Sequence, residues 1–365
     1  MKRFFLFLLV LILFYPTNVF ALENFSFTDI SPDDFFGYDI ESIGDIDGDG
    51  VSDIAVGSPY DDDCGPSHGA VYILFLNSDG TVKDSQKISS TEGNFKEILD
   101  PYDAFGRAIS NIGDFDGDGV SDIVVGAYHD DDGGYNTGAV YILFLNSDGT
   151  VKDSQKISST EGNFQGVIDS GDCWGNAITS LNDFDGDGIT DIAVGAHKNY
   201  SPGTEMKRVG AVHILLLNSD GTVKSSQEIS DTQGNFDALN ENDIFGIDLV
   251  NLSDINNDGI TDIAVGSPHR HYFDAELSPI HILLLEKDGK VKYSETIPSE
   301  NDTKINPEIY YFLGIPLIFV IFLVIIVKIK LRNSNQKWFW YNLLQELPIS
   351  YLKIVKLIYY KKFFL

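Results

Sequence analysis

The chain of 365 residues repeats itself at a nearly constant interval. Residues 69–95 recur with an identical sequence at 138–164. A similar sequence lies at 210–236, and a more divergent one lies at 280–297. Self-similarity at a fixed period is typical of folds that stack supersecondary units, because one unit cannot bury its apolar face alone. The repeat therefore limits the chain to solenoids, propellers and related arrays.

Within each repeat the signals are those of short strands. In the first repeat, apolar or alternating runs separated by Asp-Gly turns predict strands at Gly37–Gly44, Ile54–Val56, Ala70–Leu76 and Val82–Ile88. No stretch of residues 22–308 shows a sustained helical period. We therefore predict an all-β fold, a β-propeller with about four antiparallel strands in each of four blades, at about residues 36–95, 105–164, 174–236 and 245–297. The sequence leaves open whether four blades close into a ring or a homo-oligomer of the chain completes one.

The first residues of the chain resemble a targeting segment. Residues 1–21 have a basic start, an apolar run over Phe4–Tyr15, a breaker at Pro16 and small residues up to Ala21. This order predicts a secretory signal peptide, and an uncleaved membrane anchor is the alternative.

A second apolar segment lies near the other end of the chain. Residues 309–327 are 19 positions without a charge, which predicts a transmembrane helix. Basic residues follow this span and acidic residues precede it, so the positive-inside rule places residues 22–308 outside the cell. Residues 328–365 form a basic and aromatic cytoplasmic tail, expected at the lipid headgroups, with a signalling role as the alternative.

The charge balance excludes some functions. The chain has 55 acidic and 25 basic residues, a net charge of −30, and both of its ends are basic, so the middle carries all of the acidic excess. Such a surface repels phosphate backbones, and we expect no nucleic-acid binding. Because 43% of the residues are hydrophobic, the acidic region is expected to fold.

Each repeat contains one acidic segment, which we call its Asp loop and number from position 1 to position 9. The loops begin at residues 45, 114, 183 and 254, at steps of 69, 69 and 71. Side chains at positions 1, 3, 5 and 9 and the main-chain carbonyl at position 7 supply hard oxygen ligands, and the glycines permit the loop to curl. The predicted metal ligands are Asp45, Asp47, Asp49, Val51, Asp53, Asp114, Asp116, Asp118, Val120, Asp122, Asp183, Asp185, Asp187, Ile189, Asp191, Asp254, Asn256, Asp258, Ile260 and Asp262.

The predicted ion is Ca²⁺, about four per chain. Clustered carboxylates repel one another, each pair by on the order of 1–4 kcal/mol, and a cation removes that repulsion. Mg²⁺ is the weaker candidate because it retains its waters and a strict octahedron. Solvated Asp-Gly turns are the alternative, and Asn256 and Asn257 predict weaker binding in the fourth loop.

These features together resemble a known family. An aromatic-glycine pair (Phe36-Gly37, Phe105-Gly106, Trp174-Gly175 and Phe245-Gly246) precedes each Asp loop, and a Val-Gly step and a Gly-Ala-Val segment follow it, the last in all but the fourth repeat. The pattern over about residues 36–297 resembles the FG-GAP repeats of integrin α-subunit propellers and their prokaryotic relatives. The resemblance implies calcium in the hairpin between the first two strands, on the face opposite the ligand-binding one, and a role in adhesion or extracellular recognition.

The loops on that opposite face differ between repeats. They contain Tyr60–Cys64 and His129–Asp132 in the first two repeats, and Lys198, Lys207, Arg208 and His269–Tyr272 in the last two. A rigid scaffold with variable loops is typical of binding proteins. Solvated loops without a binding role are the alternative.

The sequence therefore predicts a calcium-binding, membrane-anchored cell-surface protein that recognises an extracellular protein or glycan and is not an enzyme. An extracellular hydrolase or lyase and a purely structural surface component are the alternatives. Sequons at Asn24, Asn199, Asn251 and Asn301 are candidates for glycosylation, and whether Cys64 and Cys173 form a disulfide stays open.

Overall fold

A computed structural model describes residues 30–197, 209–240, 243–268 and 279–297. The predicted signal peptide, transmembrane helix and cytoplasmic tail lie outside these residues and stay predictions. Among the residues that the structure describes, no helix is long and apolar enough to cross a membrane. A short 3₁₀ helix, Pro32–Asp34, capped by the Ser31 hydroxyl, precedes the strands.

The described chain forms four antiparallel sheets of four strands, each in sequence order. Blades 1 and 2 contain β1 (Ile40–Gly44), β2 (Asp53–Ser58), β3 (Ala70–Leu76), β4 (Val82–Ile88), β5 (Phe105–Gly113), β6 (Asp122–Ala127), β7 (Ala139–Leu145) and β8 (Val151–Ile157). Blades 3 and 4 contain β9 (Trp174–Asn182), β10 (Asp191–Ala196), β11 (Ala211–Leu217), β12 (Val223–Ile229), β13 (Leu249–Ser253), β14 (Asp262–Gly266), β15 (Ile280–Leu285) and β16 (Val291–Ile297). The predicted four-bladed β-propeller is confirmed.

Consecutive blades pack face to face through three apolar cores. The third strand of each blade is apolar at every or nearly every position, and in blades 1 to 3 both of its faces are covered. In β7, for example, Tyr141 and Ile142 point to opposite faces and are both fully buried. Tyr141 belongs to the core shared with blade 1, and Ile142 belongs to the core shared with blade 3. Because successive side chains of a strand point to opposite faces of its sheet, the third strand of a central blade contributes to the cores on both sides of that blade.

A Gly-Asn-Phe segment after the fourth strand fastens each blade to the next, and we call residues 93–95, 162–164 and 234–236 the three latches. In the first latch, the Gly93 carbonyl accepts a hydrogen bond from the Val151 amide at 2.8 Å and the Asn94 side chain donates to the Val151 carbonyl at 2.7 Å. Phe95 stacks on Phe105 with ring centroids 5.1 Å apart. The second latch makes the same two hydrogen bonds to Val223.

The glycines of the family motif mark the closest approach between blades. A Cβ on Gly57 would lie 2.0 Å from the Gly106 carbonyl oxygen in the next blade. Gly126 and Gly195 stand in the same relation to Gly175 and Gly246. The Val-Gly step and the aromatic-glycine pair are therefore two halves of one contact.

The first strands of all four blades line a central cavity of about 560 Å³. Blade 4 has one apolar face that is partly open: Ile280 is 49% exposed and Ile297 is 52% exposed, whereas the equivalent Val140 and Ile157 of blade 2 are fully buried. In the described part of the chain, the sheet faces between consecutive blades are thus buried, and the outer face of blade 4 is partly exposed.

Candidate metal sites in the Asp loops

Each Asp loop joins the first and second strands of its blade, so the four loops lie at the same end of the sheets. In the first loop the carboxylate at position 1, Asp45, accepts hydrogen bonds from the amides of Gly48, Asp49 and Gly50 at 2.8–3.0 Å. Gly48 and Gly50 have φ of +79° and +90°, a conformation that disfavours a Cβ. The loop therefore curls around its own first side chain.

The carboxylate at position 5 orders the second half of each loop. It accepts a hydrogen bond from the amide at position 7: Val51 to Asp49 at 2.8 Å, Val120 to Asp118 at 2.9 Å, Ile189 to Asp187 at 2.9 Å and Ile260 to Asp258 at 3.1 Å. All four loops share this turn, although they differ in sequence.

The aspartate at position 9 is fully buried in every blade. Asp122 accepts hydrogen bonds from the Phe115 amide in the loop and the Leu145 amide at the end of β7, both at 2.9 Å. Burial raises the pKa of Asp122 to about 6 and that of Asp191 to about 7, against the lowering effect of these amides. Position 9 thus ties the loop to the third strand, a role that the sequence did not indicate.

Three loops bring the carboxylates of positions 1, 3 and 9 together. Their candidate ligand oxygens lie within 4.8 Å of one another in three groups: Asp45, Asp47 and Asp53; Asp114, Asp116 and Asp122; Asp183, Asp185 and Asp191. Two oxygens bound to one Ca²⁺ at 2.3–2.6 Å lie up to about 5 Å apart, so the spacing and the hard donor set fit this ion. The carboxylates of position 5 are not members of these groups.

The fourth loop differs at position 3. Asn256 directs its side-chain amide at Asp262 Oδ2, 3.4 Å away, where the other loops have a carboxylate. Asn257 replaces a glycine and adopts a φ of +61°, which asparagine tolerates better than most residues. The fourth loop therefore offers fewer anionic ligands than the others.

The structure adds a lysine to each loop, which the sequence analysis missed. Lys83, the second residue of β4, has its Nζ 2.6 Å from Asp47 Oδ2 and contacts Asp49. Lys152 contacts Asp116 and Asp118, Lys224 lies 2.6 Å from both Asp185 and Asp187, and Lys292 lies 2.6 Å from Asp258. The available signal was a lysine at the same position of all four repeats.

On the opposite face, two aspartates of the variable loops in the first two repeats have a structural role. Asp61 is buried and accepts hydrogen bonds from the Tyr72 hydroxyl and the Lys87 ammonium, both at 2.9 Å. Asp130 makes the equivalent contacts with Tyr141 and Lys156 at 3.1 Å and 2.8 Å. Asp62 and Asp131 are exposed, and Asp131 also accepts a hydrogen bond from the Asn136 amide at 2.7 Å. The basic residues of the variable loops in the last two repeats, Lys198, Lys207, Arg208 and His269–Tyr272, lie outside the described residues.

The structure also describes the two cysteines and one of the four sequons. No disulfide joins Cys64 and Cys173, and Cys173 is buried. The Asn251 side chain donates a hydrogen bond to the Ser180 carbonyl at 2.6 Å across the blade interface, so a glycan there would break this contact. The other three sequons lie outside the described residues.

Comparison with known proteins agrees with the repeat pattern. The FG-GAP repeat model matches residues 36–74 and 105–143, and an FG-GAP-like repeat model matches residues 183–265. Integrin alpha-2 of Mus musculus is 33% identical over 166 residues, 44% of this chain and 13% of that protein. Integrin alpha-3 of Cricetulus griseus is 30% identical over 213 residues, 58% of this chain and 18% of that protein. The chain thus carries FG-GAP repeats, resembles integrin α chains, and spans less than a fifth of these relatives.

Proposed function

We propose that this integrin-α-like FG-GAP propeller is a calcium-binding, membrane-anchored cell-surface protein that recognises an extracellular protein or glycan. The observation that carries the calcium part is the group of three carboxylates, repeated in three Asp loops with the same hydrogen-bonded turn. A single acidic turn would be ordinary surface, but the same donor set in successive blades indicates a common ligand. The residues that would hold the ion are those at positions 1, 3 and 9, with positions 5 and 7 beside them.

Calcium would act by neutralising the loop carboxylates. In each of the three groups, the aspartate at position 9 accepts a hydrogen bond from a main-chain amide of the third strand, which links the loop to the rest of its blade. A bound ion would therefore stabilise the blade as well as the loop, and the melting temperature should rise with calcium concentration by mass action.

The test is calorimetric titration of the full chain in detergent micelles with CaCl₂, together with thermal melting. We expect uptake of three to four ions per chain and a higher melting temperature with calcium than with chelator. The triple variant D45N/D114N/D183N, altered only at position 1, should lose uptake in three loops. Equal melting temperatures with calcium and chelator, and no heat of binding, would contradict the calcium proposal.

Ligand recognition is proposed for the face opposite the Asp loops, where the exposed Asp62 and Asp131 lie. The membrane anchor is supported by the uncharged segment at residues 309–327. Cells that display the full chain can be tested for adhesion to a panel of immobilised extracellular matrix proteins and glycans. We expect adhesion that D62K/D131K abolishes; adhesion equal to that of cells without the chain would contradict this part of the proposal.

A further inference from the structure

The four lysines that contact the Asp loops are the extra residues of four β-bulges. In blade 1, Phe75 pairs with Asp84 and Leu76 pairs with Val82, so Lys83 has no partner on β3. The register shifts at the same place in the other blades, at Lys152, Lys224 and Lys292. A bulge leaves one residue outside the ladder and re-aims its side chain. Here the same irregularity directs an ammonium group at the Asp loop in every blade.

The lysines share a ligand with the candidate metal sites. The position 3 carboxylates, Asp47, Asp116 and Asp185, contact the lysines and also belong to the groups of three carboxylates. A divalent ion in such a group would therefore lie close to a fixed positive charge. Two cations on one carboxylate repel each other, so each must weaken the binding of the other.

We propose that the bulged lysines are built-in counter-cations, which hold the Asp loops folded without a divalent ion and lower the affinity of the loops for one. This inference rests on the proposed calcium function. It assigns the lysines a role in setting the calcium concentration to which the propeller responds.

The protonation of these groups agrees with the pairing. The Lys83 ammonium donates hydrogen bonds to the carboxylates of Asp47 and Asp49, which raises the pKa of Lys83 and lowers the pKa of Asp49. The lysine of each of the other blades lowers the pKa of Asp118, Asp187 or Asp258 in the same way. The lysines therefore stay charged at neutral pH, as a counter-cation must.

An ordinary surface ion pair would behave differently. Losing an ion pair that shares no carboxylate with the metal site removes a small amount of stability and leaves the affinity for the metal unchanged. Losing a counter-cation has two effects of opposite sign: the metal-free protein becomes less stable, and the affinity for the divalent ion rises. A charge of +1 about 6 Å from a charge of +2 in water is expected to weaken the ion's binding on the order of tenfold.

The experiment compares the full chain in detergent micelles with the triple variant K83Q/K152Q/K224Q. A matched control is K290Q, because Lys290 pairs with Asp288 at 2.5 Å outside the Asp loops and has the same exposed character. CaCl₂ titration gives the affinity, and thermal melting in chelator gives the metal-free stability. We expect the triple variant to bind calcium on the order of tenfold more tightly than wild type and to melt lower in chelator, and we expect K290Q to match wild type in both.

The possible outcomes distinguish the counter-cation role from the proposed calcium function. Calcium binding of unchanged or weaker affinity in the triple variant overturns the counter-cation role while leaving the calcium function intact. No binding by wild type together with binding by the triple variant supports it. No binding by either protein overturns both proposals.

Discussion

At the scale of single residues, the four acidic positions of an Asp loop divide into two kinds. Position 9 is buried and its oxygens accept main-chain amides in addition to facing the carboxylates of positions 1 and 3, whereas the side chains of positions 1, 3 and 5 lie at the surface. The sequence pattern presents them as one ligand set because it records residue type and spacing but not burial. Their contributions to stability should therefore differ even without metal.

Substitution of two aspartates in the second loop should reveal this difference. D122A leaves the buried amides of Phe115 and Leu145 without acceptors, and we expect it to lower the free energy of unfolding by about 2–4 kcal/mol. D116A removes a surface carboxylate paired with Lys152 and should cost about 1 kcal/mol or less. Urea unfolding in the presence of chelator measures both, and equal losses would contradict the division.

A buried histidine makes stability depend on pH. His213 is 1% exposed, packs edge-on against Phe164 and lies 4.0 Å from Glu228, and within the described structure neither ring nitrogen has a hydrogen-bond partner. Burial lowers the pKa of His213 to about 4. The unfolded chain, with an ordinary histidine pKa near 6.5, binds the proton more readily, so folding loses stability as pH falls from about 6.5 to about 4.

We expect this histidine to contribute up to about 3 kcal/mol of stability that is present above pH 6.5 and lost on acidification. H213F removes the titrating group and keeps an aromatic ring against Phe164. Urea unfolding at pH 7.5 and pH 5 should show a smaller difference for H213F than for wild type. The same difference in both proteins would show that His213 does not titrate in this range.

At the scale of strands and turns, regular elements were easier to predict than contacts between them. The predicted runs Ala70–Leu76 and Val82–Ile88 are β3 and β4 to the residue, because the Asn-Ser-Asp-Gly turn at residues 77–80 separates them. β1 is shorter than the predicted Gly37–Gly44, since Gly37 has a φ of +87° and serves the turn before the strand. The bulge at Lys83 has no local sequence signal, because register depends on the partner strand.

The Val-Gly step offers a matched test of blade packing. A Cβ on Gly126 would lie 2.0 Å from the Gly175 carbonyl oxygen of the next blade, and we expect G126A to cost at least about 3 kcal/mol because backbone must move. Gly266 is the equivalent residue of blade 4, where the nearest atom is the Ile247 Cγ2 at 3.2 Å. G266A should cost about 1 kcal/mol or less. Chemical denaturation of the two variants under identical conditions makes the comparison, and similar losses would contradict it.

At the scale of the whole molecule, one interface is used three times. Its parts are the glycine contact, the latch and an aromatic group from two blades, such as Phe95, Phe105 and Tyr141. The sequence revealed the number of blades through its period. It did not reveal the latch, because a Gly-Asn-Phe tripeptide in a repeat reads as an ordinary loop until its partner in the next blade is known.

Truncation of an apolar side chain on the partly exposed face of blade 4 should cost less stability than the same truncation on a buried face. Ile157 is fully buried between blades 2 and 3, and I157A should lower the free energy of unfolding by about 3 kcal/mol through the cavity it leaves. Ile297 occupies the same position of blade 4 and is half exposed, so I297A should cost about 1 kcal/mol or less. The measurement is urea unfolding of both variants with wild type as reference; comparable losses would indicate that the face is covered in solution.

The latch gives the array a direction. Each fastening reaches from one repeat into the repeat after it, and Ile297 of the fourth repeat is followed by Pro298, Ser299 and Glu300 instead of the residues that lead to a latch. Duplication of one of the first three repeats would also duplicate its latch, so that a blade inserted inside the array would be joined to both of its neighbours. A fifth blade placed after Ile297 would lack this fastening, because no Gly-Asn-Phe tripeptide follows in residues 298–308.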